Sequence, residues 1–74
     1  MEAGRIVAIG AAGRVGQFAL CGVDVIAVAD DAAARSAWAA LDETVGLAIL
    51  DVGAAAAIPR DGRGRSRILV AVLP

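Results

Sequence analysis

Residues 5–31 read RIVAIGAAGRVGQFALCGVDVIAVADD, and this stretch decides the fold. Arg5 to Ile9 is a short apolar run rich in β-branched residues, and Gly10 stops it. Such a run describes a strand buried on both faces, as in a parallel sheet. Gly10 to Gly13 form a loop. Val15, Phe18, Ala19 and Gly22 then fall at helical spacing, so Arg14 to Cys21 is expected to be a short helix with Gly22 as its stop. Residues 23–29 (VDVIAVA) give a second buried strand. Asp30 is placed to cap the next helix, and Asp31 lies in its favourable first turn.

The pattern continues downstream. Ala32 to Leu41 is expected to be helical, with Ala34, Ala37, Trp38 and Leu41 on one face. Asp42, Glu43 and Thr44 make a polar break. Val45 to Leu50 (VGLAIL) is the third strand, closed by Asp51. Val52 to Ile58 is a weak, alanine-rich helix that Pro59 ends. Arg60 to Arg67 (RDGRGRSR) is a basic loop, and Ile68 to Leu73 (ILVAVL) is the fourth strand before Pro74. Strands alternating with helices imply a parallel sheet with helices on its faces. The expected fold class is therefore α/β, a small four-stranded parallel sheet flanked by helices. Right-handed crossovers make it doubly wound, Rossmann-like or CheY-like, with strand order 2-1-3-4. Residues 1–74 are read as one domain.

Composition limits what such a domain does. The 74 residues are 59% hydrophobic but only 3% aromatic, and much of the apolar content is alanine. A chain of this length buries only about 60% of its unfolded surface, so a partner that completes the burial is expected. The net charge of −1 argues against a nucleic-acid binder. Histidine, lysine and tyrosine are absent, which excludes a histidine triad, a histidine metal site and a Schiff-base lysine. The lone Cys21 rules out an internal disulfide, fits a reducing compartment, and reads as a packed apolar thiol. Charges at Asp24, Asp30, Asp31, Arg35, Asp42, Glu43 and Asp51 cut every apolar stretch short of the about 18 residues that a membrane span needs. No secretory signal is read at the N-terminus. A cytoplasmic domain without membrane insertion is expected.

Three features invite a functional reading. Gly10-Ala11-Ala12-Gly13-Arg14-Val15-Gly16 is a G-x-x-G-x-x-G run after a strand, where dinucleotide-binding proteins place a phosphate loop, and Asp30 stands where a ribose-binding acid would sit. The stretch GAAGRVGQ resembles the N-terminus of dihydrodipicolinate reductases. Against that reading, the following helix is short, no second domain is read, and no residue remains for proton transfer. The expectation is a ligand-free turn. Arg60, Arg63, Arg65 and Arg67 suit phosphates or RNA, but no aromatic residue is interleaved for stacking, so a solvated connector is expected. Asp51 sits where a receiver domain carries its phosphorylated aspartate. Ala11 and Ala12 replace that domain's metal-binding acids, and the lysine of its last strand is missing. No catalytic, cofactor-binding or metal-ligating residue is therefore assigned, and no cofactor.

The spacing of quieter residues resembles the central-stalk subunit of the F type in V-type and archaeal-type rotary ATPases (ATP synthases). That family opens with a strand ending in Ile-Gly, then a seven-residue segment, then Phe-x-Leu-x-Gly-Val. Here these are Ile9, Gly10, Phe18, Leu20, Gly22 and Val23. An apolar strand, an acidic helix start and a helix follow, matched by VDVIAVADD and AAARSAWAALDET. The motif Ile/Val-Gly-Leu/Ile-x-Ile-Leu is matched by Val45 to Leu50, and a closing Ile-Pro by Leu73-Pro74. The likeness runs from Arg5 to Pro74. It departs at Ala11, Ala12, Gly13 and Arg14, where the family carries acidic residues and threonine, and in the family's C-terminal helical tail beyond the closing proline. The resemblance implies a non-catalytic central-stalk subunit that helps couple ATP hydrolysis or synthesis to proton or sodium transport. Its implied partner is the coiled-coil stalk subunit of the D type, within a complex peripheral to the membrane. The alternative is a truncated NAD(P)-binding fragment.

Overall fold

A computed structural model describes residues 4–58 and 68–73. The strands are β1 (Arg5–Gly10), β2 (Asp24–Ala27), β3 (Val45–Leu50) and β4 (Leu69–Val72). The α-helices are α1 (Ala12–Val15), α2 (Asp31–Ala39) and α3 (Val52–Ala57), and a 3-10 helix occupies Gly16–Cys21. All strand pairs are parallel and the order is β2-β1-β3-β4, the expected doubly wound α/β sheet. Stepping one way from β1 to β2 and the other way from β2 to β3 puts the crossovers on opposite faces. α2 and α3 pack together over one face, and α1 with the 3-10 helix lies over β1 and β2 on the other.

The main core sits between the sheet and the α2–α3 layer. Val7 and Ile9 of β1 pair with Ala48 and Leu50 of β3, and all four are buried there with Ala34, Trp38, Leu41 and Ile58. Ala37 packs against this cluster. The expected face of α2 is thus the observed one, although the helix closes at Ala39 and Leu41 reaches the core from beyond it. The start of α2 also matches, because the Asp30 side chain accepts the Ala33 N–H at 2.8 Å. β3 has its expected bounds.

The β1–β2 crossover differs from the α-helix expected over Arg14 to Cys21. It begins as four α-helical residues and tightens to a 3-10 helix at Gly16. Glycine weakens an α-helix there by about 1 kcal/mol. The 3-10 form also rises about 2.0 Å per residue against 1.5 Å, which carries a short crossover back along β1. The change of pitch rotates the side chains out of the expected register. Val15 is buried and Phe18 half-buried, but Leu20 and Cys21 are exposed, so Cys21 is not a packed thiol. The stop at Gly22 is as expected, in a left-handed conformation at φ 80°, with its N–H and that of Val23 closing on Ala19 and Phe18.

The outer strands are also shorter and more open than their composition implies. β2 ends at Ala27 because its partner ends at Gly10, and Val28 makes the last bond to the Gly10 carbonyl. β2 and β4 are edge strands, so Asp24, Ala27, Leu69, Ala71 and Val72 are exposed rather than buried. α3 closes one residue early, at Ala57. The expected stop at Pro59 and the basic loop Arg60 to Arg67 lie outside the described residues.

Candidate functional site

Ligands of open α/β sheets bind beyond the carboxyl ends of the strands, where the connections diverge to opposite faces. Here that point lies between β1 and β3, and a cleft of about 140 Å³ opens beside it. Ala11, Val28, Asp30, Asp31, Asp51 and Gly53 are among its walls. The topology thus gathers the glycine loop, Asp30 and Asp51, three features that the sequence singled out separately.

Asp51 organises this corner. It is 7% exposed, and it is the buried charged residue among those described. One carboxylate oxygen accepts the Ala11 N–H at 2.9 Å, and the other accepts the Ala54 N–H at 2.8 Å. Its own N–H bonds the Ile9 carbonyl at 3.3 Å. The carboxylate therefore ties the loop after β1 to the first turn of α3. A buried charge is tolerated when it is hydrogen-bonded in this way.

The same carboxylate explains one glycine of the motif. A Cβ on Gly10 would lie 2.5 Å from the Asp51 carboxyl carbon and 2.7 Å from its oxygen. A Cβ on Gly13 or Gly16 would meet nothing within 4 Å, and neither glycine has positive φ. Gly10 is thus required by packing against Asp51, and the other two are not required by the protein's own atoms. The loop amide at Ala11, which a phosphate loop would turn to its ligand, already has an anionic partner. An arriving phosphate would have to displace that carboxylate and meet its charge.

Asp30 lies on the cleft wall and is engaged as the α2 cap. Among the described residues no three or more cysteine, aspartate or glutamate side chains cluster as a metal site. No helix among them is long and apolar enough to cross a membrane. Asp24 and Asp42 lie at the other end of the sheet, around Arg5. Arg5 pairs with Asp24 at 2.8 Å and with Asp42 at 3.6 Å, and it donates to the Thr44 hydroxyl at 3.2 Å. The Thr44 hydroxyl and N–H both donate to Asp42. These bonds, that of the hydroxyl foremost, hold the Asp42 carboxyl below its ordinary range, with Arg5 adding a smaller pull.

Sequence reasoning missed both Asp51 as a bridge and the Arg5 cluster. Asp51 had a readable local signal, since an aspartate between a strand and a helical run is a cap position. Its second bond, to Ala11 forty residues away in sequence, has no local signal. No family model, curated protein or solved structure matches the chain.

Proposed function

We propose that this chain is a non-catalytic central-stalk subunit, of the F type, in a V-type or archaeal-type rotary ATPase. One observation supports this reading most. Several of the residues that carry the resemblance, though not Phe18 and Leu20 of the 3-10 helix, sit at the joints of the fold. Ile9 and Gly10 close β1, where Gly10 admits no side chain. Gly22 is the left-handed stop before β2. Val45 to Leu50 is β3 from end to end. A family pattern set by folding constraints places its fixed residues at such positions.

The carboxylate of Asp51 at the Ala11 N–H supports the same reading, since it occupies one of the amides that a phosphate loop would turn to its ligand. In this proposal the domain binds the coiled-coil stalk subunit, works in the cytoplasm at the membrane-bound complex, and performs no chemistry itself. Binding to the folded state alone adds about 2.7 kcal/mol of stability at a hundredfold excess over the dissociation constant. Size-exclusion chromatography of the chain mixed with the D-type stalk subunit of the same organism tests it. Co-elution at micromolar concentration with a raised melting temperature is expected. Separate elution, while an established member of the F-type family co-elutes with that partner, refutes the assignment.

A further inference from the structure

The two helical layers of the sheet are fastened to it in different ways. α2 and α3 each begin on an aspartate cap, Asp30 and Asp51, and between them they bury Ala34, Trp38, Ala54 and Ala57. The layer on the other face, α1 with the 3-10 helix, begins at Ala11 with no side-chain cap and no acidic residue in its first turn. Of its ten residues, Ala12 to Cys21, only Val15 is buried. Phe18 is half-buried and the other eight are exposed.

The backbone bonds of this layer are also of the weaker kind. A 3-10 helix has poorer hydrogen-bond geometry than an α-helix. The two bonds that close this one, from the N–H of Gly22 to Ala19 and from that of Val23 to Phe18, are both 3.4 Å long, beyond the usual range of about 2.7–3.2 Å. Gly13 and Gly16 add two residues of high chain entropy, and a Cβ on either would meet nothing within 4 Å. The ends of the segment are by contrast well defined. The Ala11 N–H is held by Asp51 at 2.9 Å, and Gly22 turns the chain in the left-handed region at φ 80°.

We propose that residues 12–22 form a strap that opens as one unit, hinged at Ala11 and Gly22, while the four-stranded sheet and the α2–α3 layer stay folded. Few buried side chains and solvent-exposed backbone bonds mark segments that open below the global unfolding free energy. Hinges fall at element ends that absorb the change in φ and ψ. Opening withdraws Val15 and Phe18 and uncovers the outer face of β1, where Ala8 is fully buried. A four-residue helix does not persist once detached, so α1 unwinds with the rest. β2 keeps its place, because it pairs with β1 and Val28 donates to the Gly10 carbonyl at 2.9 Å, all outside the strap. The cluster of Val7, Ile9, Trp38, Leu50 and Ile58 lies on the opposite face and is untouched. The strap is thus a conformational gate over one face of β1. This inference does not rest on the rotary-ATPase reading.

Native-state hydrogen exchange of the full chain, followed by NMR in rising sub-denaturing urea, tests it. The probes are the hydrogen-bonded amides of Val15, Gly16, Gly22 and Val23, set against the central amides of β1 and β3. The strap amides are expected to share one protection factor within about tenfold, at least about a hundredfold below that of the sheet, with a shallow dependence on urea. Two substitutions separate a strap from general loosening. Ile58→Val, in the main core, is expected to speed exchange in β1 and β3 by about two- to tenfold. It leaves the strap amides unchanged, because Ile58 stays packed in the open form. Val15→Ala is expected to speed both groups by one common factor of about tenfold, because Val15 is released in both openings. Should Val15→Ala not fold, Ile58→Val decides. Strap amides as protected as those of β1 and β3 overturn the proposal. So do strap amides that quicken with the sheet in Ile58→Val, or that differ among themselves by more than about tenfold, which is how residue-by-residue fraying behaves.

Discussion

Gly10→Ala is the sharpest probe of the corner where β1 meets β3. The new methyl group would lie 2.5 Å from the Asp51 carboxyl carbon, 2.7 Å from an oxygen and 3.0 Å from its Cβ. These atoms belong to one short side chain whose two carboxylate oxygens are both held by backbone amides. Relief requires the carboxylate to move, which gives up the α3 cap, worth about 1 kcal/mol. It also strains or breaks the part-buried bond from the Ala11 N–H, and a hydrogen bond to a charged group is worth about 1.5–3 kcal/mol. A loss of roughly 2–4 kcal/mol is expected. A 74-residue domain has only about 4–11 kcal/mol in all. Urea unfolding followed by Trp38, the only tryptophan and a core residue, measures the change without a label. Gly13→Ala, with open space around its Cβ, is the control and is expected to be neutral or stabilising by up to about 1 kcal/mol. The double variant Gly10→Ala/Asp51→Ala should fall short of additivity by more than about 1 kcal/mol, because each change removes what the other disturbs. Equal unfolding curves for Gly10→Ala and Gly13→Ala would refute the account of this corner.

Two further outcomes follow from burial and charge. Phe18 is half-buried, so Phe18→Ala is expected to cost about 1–2 kcal/mol, whereas Trp38→Ala, at a buried core position, should cost about 3–5 kcal/mol; chemical denaturation followed by circular dichroism ranks the two, and a reversed order contradicts the packing described. The Asp42 carboxyl is held below its ordinary range by Thr44, so its contribution is present above the unfolded carboxylate range near pH 4 and is lost as pH falls through the lowered value. Asp42→Asn should therefore flatten stability against pH below about pH 4, read as melting temperature, and leave the slope above about pH 5 unchanged.

The sheet was legible because its signals are local and repeated. β1 and β3 are continuous apolar runs, Asp30 caps the helix between β2 and β3, and Gly22 takes the left-handed position that glycine fills without strain. From those pieces the handedness of crossovers leaves one natural strand order. Depth of burial was not legible at the edges. VDVIAVA and ILVAVL read as buried strands, yet a strand's exposure depends on whether a neighbour flanks it, and its own residues do not record that. The winding of the crossover was hidden for a related reason. Phe18, Ala19 and Gly22 satisfy a 3.6-residue period, but the few residues that return the chain to β2 favour the winding with the larger rise, and the distance they must cover is a tertiary quantity. The glycine motif concealed two different cases, because Gly10 answers to the carboxylate of Asp51 on a distant strand end, while Gly13 and Gly16 answer to nothing within reach.

Asp51 and the exposed Leu20 lie at the two ends of one short crossover. Because Asp51 holds the Ala11 amide, the chain leaves β1 at a fixed point and turns at once into α1 over β1 and β2. Only ten residues of helix, Ala12 to Cys21, then lie on that face before Gly22 returns the chain to β2. A single helical layer, about 10 Å wide, lies over β1 and β2. Its 3-10 winding rises further per residue than an α-helix and leaves Leu20 in solvent.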